Sequence, residues 1–102
     1  MPLTDEALVN MLKALAHPHR FRIVEDVAAA GELSVGTLAA DSPLSQPTIS
    51  HHLKQLAEAG LLELRNDAQR RYVSARLASI EGLVEALTAR LARPASKKPA
   101  RR

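Results

Sequence analysis

The chain has 102 residues, of which 46% are apolar and two, Phe21 and Tyr72, are aromatic; it has no cysteine and a formal net charge of +3. These values bound it to one small domain with a core of Leu, Ala, Val and Ile, and they exclude disulfides, thiolate metal sites and cysteine redox sensing. No apolar run reaches the ~18 residues a membrane span needs, and the opening MPLTDEALVN lacks the basic-then-apolar pattern of a secretion signal, so a cytoplasmic location without a membrane partner is expected.

A start signal recurs along the chain. Thr4 stands between Leu3 and Leu8, Ser34 between Leu33 and Leu38, Ser45 between Leu44 and Ile49, and Ser79 between Ala78 and Leu83. Each set reads as a hydroxyl N-cap with an apolar pair at hydrophobic-staple spacing. They predict helices over 4–16, 34–40, 45–59 and 79–92. A further helix over 18–29 begins at His17-Pro18, where proline suits a first helical turn, and ends before Gly31. Residues 62–65 and 70–75 read as two strands joined through Asn66, Asp67, Ala68 and Gln69, since Asn and Asp tolerate turn geometry. The fold class expected is mainly α with a small β-hairpin: a winged helix-turn-helix of five helices plus a two-stranded wing, with 1–92 as one DNA-binding and dimerisation domain.

The helix over 45–59 has two dissimilar faces. At 100° per residue, Ile49, Leu53, Leu56 and Gly60 share a narrow sector and point inward. Pro47, Ser50, His51 and Lys54 fall on the opposite side, with Thr48 and Gln55 beside them; several can donate to base edges or phosphates, and Gln46 at the helix start is a further candidate for DNA contact. His51 is expected outward and His52, at the flank of the apolar stripe, partly buried. On the hairpin, Arg65, Arg70 and Arg71 are further candidates for DNA contact; strand neighbours point to opposite faces, so of Arg70 and Arg71 one meets DNA from a given side. The bland reading of these arginines is solvated strand charge.

The first and last helices carry apolar stripes. Leu8, Met11, Leu12 and Leu15 form one, and Ile80, Val84, Leu87 and Leu91, widened by Leu83, form the other, with Gly82 as a point of close approach. The spacing is coiled-coil-like, and a domain this size buries only roughly 60–65% of its unfolded surface, so a homodimer is expected over a reading in which both stripes complete a monomer core. From Arg93 on, Arg93, Lys97, Lys98, Arg101 and Arg102 give +5 with no acid, while 1–92 carry nine basic and eleven acidic side chains, a net −2. Residues 93–102 read as a basic disordered tail, either solubilising or adding nonspecific DNA affinity. Within 45–76 the local balance is +2, a positive stripe on a slightly acidic body, which suits a defined nucleic-acid face.

The blocks LKALAHPHRFRIVEDV, GELSVGTLA, LSQPTISHHLKQLAEAGLL and RRYVS, in this order over about residues 8–90, resemble the ArsR-like winged-helix transcriptional repressors of bacteria. The resemblance implies a dimer through the first and last helices, reading of inverted-repeat operators in double-stranded DNA by helix 45–59, and a wing on the backbone or minor groove. Many members sense metals, and those residues are replaced here. Where the family reads E-L-C-V-C-D-L, this chain has Glu32, Leu33, Ser34, Val35, Gly36, Thr37 and Leu38, and residues 79–92 lack the Asp and His of the family's other common site. Pro43 stands where the family commonly has Gly in the turn, and Pro cannot take positive φ, so a rebuilt turn is expected; the wing tip lacks the usual Gly as well.

His17, His19, His51 and His52 do not read as a metal site: the first two flank a helix-starting proline, and adjacent helical residues do not share a face. No phosphate-binding glycine loop, paired carboxylates or oriented Ser/His pair supports catalysis, so no enzyme and no cofactor are expected. The residues leave open whether a small-molecule effector acts. The alternative from another class is a winged-helix interaction module whose basic wing binds an acidic partner.

Overall fold

In the computed structural model, described over residues 3–94, the chain forms α1 (Asp5–Leu15), α2 (Pro18–Ala30), β1 (Glu32–Ser34), α3 (Val35–Ala40), α4 (Gln46–Glu58), β2 (Leu62–Asp67), β3 (Arg70–Ala75) and α5 (Leu77–Leu91). The basic tail expected after Ala92 lies, from residue 95, outside the described residues. Four helices start where a side chain can accept an orphan backbone N–H. Thr4 Oγ1 accepts from Ala7 N at 3.0 Å, His17 Nδ1 from His19 N at 3.2 Å, Ser34 Oγ from Thr37 N at 3.0 Å and Ser45 Oγ from Thr48 N at 3.3 Å. α5 departs from this pattern. It starts at Leu77 after Arg76, with no side-chain cap, and Ser79 falls inside its first turn rather than at its cap. The cause is tertiary: Arg76 N donates to the Leu61 carbonyl at 3.0 Å, so the helix leaves directly from the end of β3.

The sheet has three antiparallel strands in the order β1-β3-β2, one more than expected. β1 pairs Glu32, Leu33 and Ser34 with Ser74, Val73 and Tyr72 of β3, and β2 pairs Leu62 through Asp67 with Ala75 through Arg70. Asn66 and Asp67, expected in the turn, are paired with Arg71 and Arg70, which leaves Ala68 and Gln69 as a two-residue turn. Ala68 takes φ 58° where no glycine is available, and a left-handed residue with a Cβ costs roughly 1–2 kcal/mol. Ala68→Gly is therefore expected to stabilise the wing by about 1 kcal/mol, read as a rise in Tm; a fall would show that the strain is not there.

At the other turn, Pro43 is accommodated without positive φ. Asp41 N bonds to Thr37 O and Ser42 N to Ala39 O, both at 3.2 Å, and Ser42 Oγ accepts from Leu44 N at 3.0 Å. The core sits between α4 and the sheet. Ile49, Leu53 and Leu56 of α4 are wholly enclosed with Val27, Leu61, Leu62 and Val73, while Phe21 is left on the surface. Just past the end of α4, Gly60 takes φ 85° and Leu61 N closes on the Leu56 carbonyl at 3.0 Å; this delivers Leu61 and Leu62 to the core and starts the wing. The buried face of α4 thus fixes which face remains outside.

Candidate nucleic-acid interface

Because Ile49, Leu53 and Leu56 are locked inward, α4 must present its polar side. Gln46, Pro47, His51 and Lys54 are exposed, and Thr48 and Ser50 are half-buried. Thr48 Oγ1 lies 2.9 Å from Ser45 Oγ, so its hydroxyl is shared with the cap. The start of α4 meets the wing at a groove of about 300 Å³ bordered by Gln46, Gly36, Gln69, Arg70 and Arg71. The groove joins the two elements that the sequence marked separately. Gln69 and Gly36 belong to it through folding alone, since nothing in their local sequence signals contact.

Arg65, on β2, is also paired within the sheet. Its Nε and one terminal nitrogen donate to the two Glu32 carboxylate oxygens at 3.2 and 2.9 Å, Asp67 lies 3.7 Å away, and the guanidinium sits 4.6 Å from the Tyr72 ring centroid. The hydrogen bond from Arg65 holds the Glu32 carboxyl below the usual carboxylate range and raises Arg65 in turn. An arginine so engaged ties β2 to β1 across β3, while half of its side chain stays exposed. The reason is β1, which brings Glu32 alongside and which local sequence did not signal.

The histidines also gather beyond their local contexts. His51 is exposed, whereas His52 is 7% exposed and its Nδ1 has no hydrogen-bond partner. The His17 and His19 rings of α2's start lie 4.9 and 6.3 Å from the His52 ring. Burial pushes the His52 imidazole below its ordinary range, and the charges of His17, Arg20, His19 and His51 act in the same direction. Unfolded, this side chain returns to about 6.5. The unfolded chain then binds the extra proton, so this contribution to stability is complete above about pH 7 and is lost as pH falls through 6.5 toward the lower folded value. Tm is expected to fall more steeply between about pH 7 and 5.5 in the native chain than in His52→Leu; parallel slopes would place the acid sensitivity elsewhere.

Ser34, at the first cysteine position of the family's metal motif, serves as the α3 cap, and its hydroxyl donates to Thr37 Oγ1 at 2.8 Å. Among the described residues, no group of three His, Cys, Asp or Glu side chains is placed to hold a metal ion, and no helix is long and apolar enough to cross a membrane.

The nine apolar residues of the terminal stripes separate into three groups. Leu8, Met11 and Leu83 are buried in the chain's own core, Leu15, Ile80 and Leu87 pack half-buried against it, and Leu12, Val84 and Leu91 are exposed. Val9 and Leu77, which the stripes omitted, are exposed on the same two helices. An Arg90–Asp5 ion pair at 3.0 Å ties α5 to the start of α1.

A short helix, a tight turn, a second helix with a buried apolar face and an exposed polar one, and a basic hairpin beside its start define a winged helix-turn-helix DNA-binding protein. Comparison with known proteins agrees. A profile described as a helix-turn-helix domain matches residues 15–65. The biofilm growth-associated repressor of Agrobacterium fabrum is 39% identical over 79 residues, covering 78% of this chain and 67% of that protein. The arsenical resistance operon repressor of Staphylococcus aureus is 31% identical over 85 residues, covering 83% and 81%. Among solved structures, HlyU from Vibrio cholerae superposes with a TM-score of 0.71 at 30% identity, covering 91% of this chain and all of that one. The chain belongs to the ArsR-like family of winged-helix transcriptional regulators and is a DNA-binding transcriptional regulator.

Proposed function

We propose that the protein acts in the cytoplasm as a homodimeric repressor that reads an inverted repeat, with α4 in the major groove and the wing arginines on the backbone or minor groove. The observation that carries this is the groove in which Gln46 at the start of α4 meets Arg70 and Arg71, with His51 and Lys54 exposed further along the same helix. Residues 3–92 act as the folded DNA-binding and dimerisation unit, and the tail adds nonspecific affinity. The exposed Leu12, Val84 and Leu91, together with Val9 and Leu77, form the dimer seam; Leu15, Ile80 and Leu87 line its edge. Among the described residues, nothing lies within 4 Å of a Cβ built at Gly82, which leaves that face open to the partner.

The test is binding to a duplex selected by the protein from a random pool against random duplex of equal length. His51→Ala or Ser50→Ala should weaken the selected duplex by about 1–3 kcal/mol and the random one little, because base contacts carry the specificity. Arg70→Ala and Arg71→Ala should weaken both and flatten the salt dependence. Equal losses on both duplexes for His51→Ala would reassign that side chain to phosphate contact. With Ser34 and Gly36 at the thiolate positions and no cysteine in the sequence, Zn²⁺ and arsenite should leave affinity unchanged.

A further inference from the structure

Arg20 stands in the first turn of α2, yet its side chain serves two other helices. Its Nε donates to the Ala14 carbonyl at 2.6 Å, one terminal nitrogen reaches the Lys13 carbonyl at 3.4 Å, and the other donates to Gln55 Oε1 on α4 at 3.0 Å. Lys13 and Ala14 lie in the last turn of α1, at the negative end of the helix dipole; the Lys13 carbonyl also accepts from Ala16 N at 3.3 Å. A guanidinium holds its donors in a fixed planar fork; a lysine ammonium could not hold both helices in one geometry. The start of α1 is tied to α5 by Asp5 and Arg90, so α1 is anchored at one end to the proposed seam and at the other to α4.

Gln55 sits in a niche bounded by Asn10, Lys13, Ala14, Arg20 and Glu58, on the α1 side. Gln46, which borders the wing groove, lies nine positions earlier, about 13 Å along the helix axis at 1.5 Å per residue. Base readout tolerates errors of only about 0.5 Å in side-chain placement, so a fixed point on α4 outside its buried apolar face bears directly on readout.

We propose that Arg20 is a positioning residue for DNA recognition: acting through Gln55, it locks α4 to the end of α1 and so transmits the dimer geometry to the two reading helices. This rests on the assignment of α4 as the DNA-reading helix.

The variants separate positioning from direct contact. Gln55→Leu cuts the link to α4 but keeps the two bonds from Arg20 to α1; it should lower affinity for the selected duplex about tenfold, equal to ~1.4 kcal/mol, and leave affinity for random duplex and the salt slope unchanged. Gln55→Glu keeps an acceptor for Arg20 and would repel phosphates if it faced DNA; it should stay within about twofold of the native chain. Losses from Arg20→Ala and Gln55→Leu should not add in the double variant; if Arg20→Ala fails to fold, by circular dichroism, the two Gln55 variants decide alone. Gln55→Glu binding as poorly as Gln55→Leu would make Gln55 a direct DNA contact and overturn the inference. So would unchanged binding by Gln55→Leu, or additive losses. A native chain that prefers no selected duplex over random DNA would instead overturn the DNA-reading assignment, and this inference with it.

Discussion

Val84→Glu is expected to make the protein monomeric at micromolar concentration and to lower its affinity for the full inverted repeat at least about 100-fold, or ~2.7 kcal/mol, with helix content intact. Val84 is 56% exposed within one chain and Leu91 80%, so a charge at 84 can stay in water in the isolated fold. In a two-fold seam the carboxylate is buried twice, and a buried polar group without a partner costs roughly 2–7 kcal/mol. A dimer holds two copies of α4 about one helical turn, roughly 34–36 Å, apart; a monomer engages one half-site. Sedimentation velocity and operator titration check this. A native chain that sediments as a monomer at that concentration, or a variant that binds the full site normally, would remove the terminal helices from the dimer interface. Leu83 would be the wrong position for the same test, because it is 3% exposed and its replacement would unfold the chain.

Leu53→Ala should cost about 2–5 kcal/mol, as for other large-to-small core changes, and lower Tm by at least about 8 °C. Leu53 is fully enclosed beneath α4, where the helix meets the sheet, and the whole stability of a domain is only about 5–15 kcal/mol. Next to it, Lys54→Ala should leave Tm nearly unchanged and weaken binding to all duplexes, since Lys54 is exposed and phosphate contacts carry no sequence information. Thermal melting of the two variants in parallel tests the division of α4 into a packing face and a reading face. A loss below about 1 kcal/mol for Leu53→Ala would mean that the site collapses freely and that α4 is held mainly from elsewhere.

The features legible in the sequence are those set by neighbours along the chain. Thr4, Ser34 and Ser45 cap the helices they announce because the donor lies three residues away, and the apolar period of α4 dictates its inward face whatever it packs on. The strands of the wing follow from two short runs with a turn between them. What tertiary structure decided is what lies opposite each face. β1 is three residues long and becomes a strand only because β3 pairs with it; it then captures Arg65 through Glu32, which no local pattern could reveal. Periodicity placed Leu8, Leu83 and Val84 in the same stripes, but only the arrangement of α1 and α5 over the core separates the buried Leu8 and Leu83 from the exposed Val84. The histidines of two distant segments meet, and Arg20 joins three helices, for the same reason: side-chain direction is encoded locally, whereas the partner it meets depends on chain closure over dozens of residues.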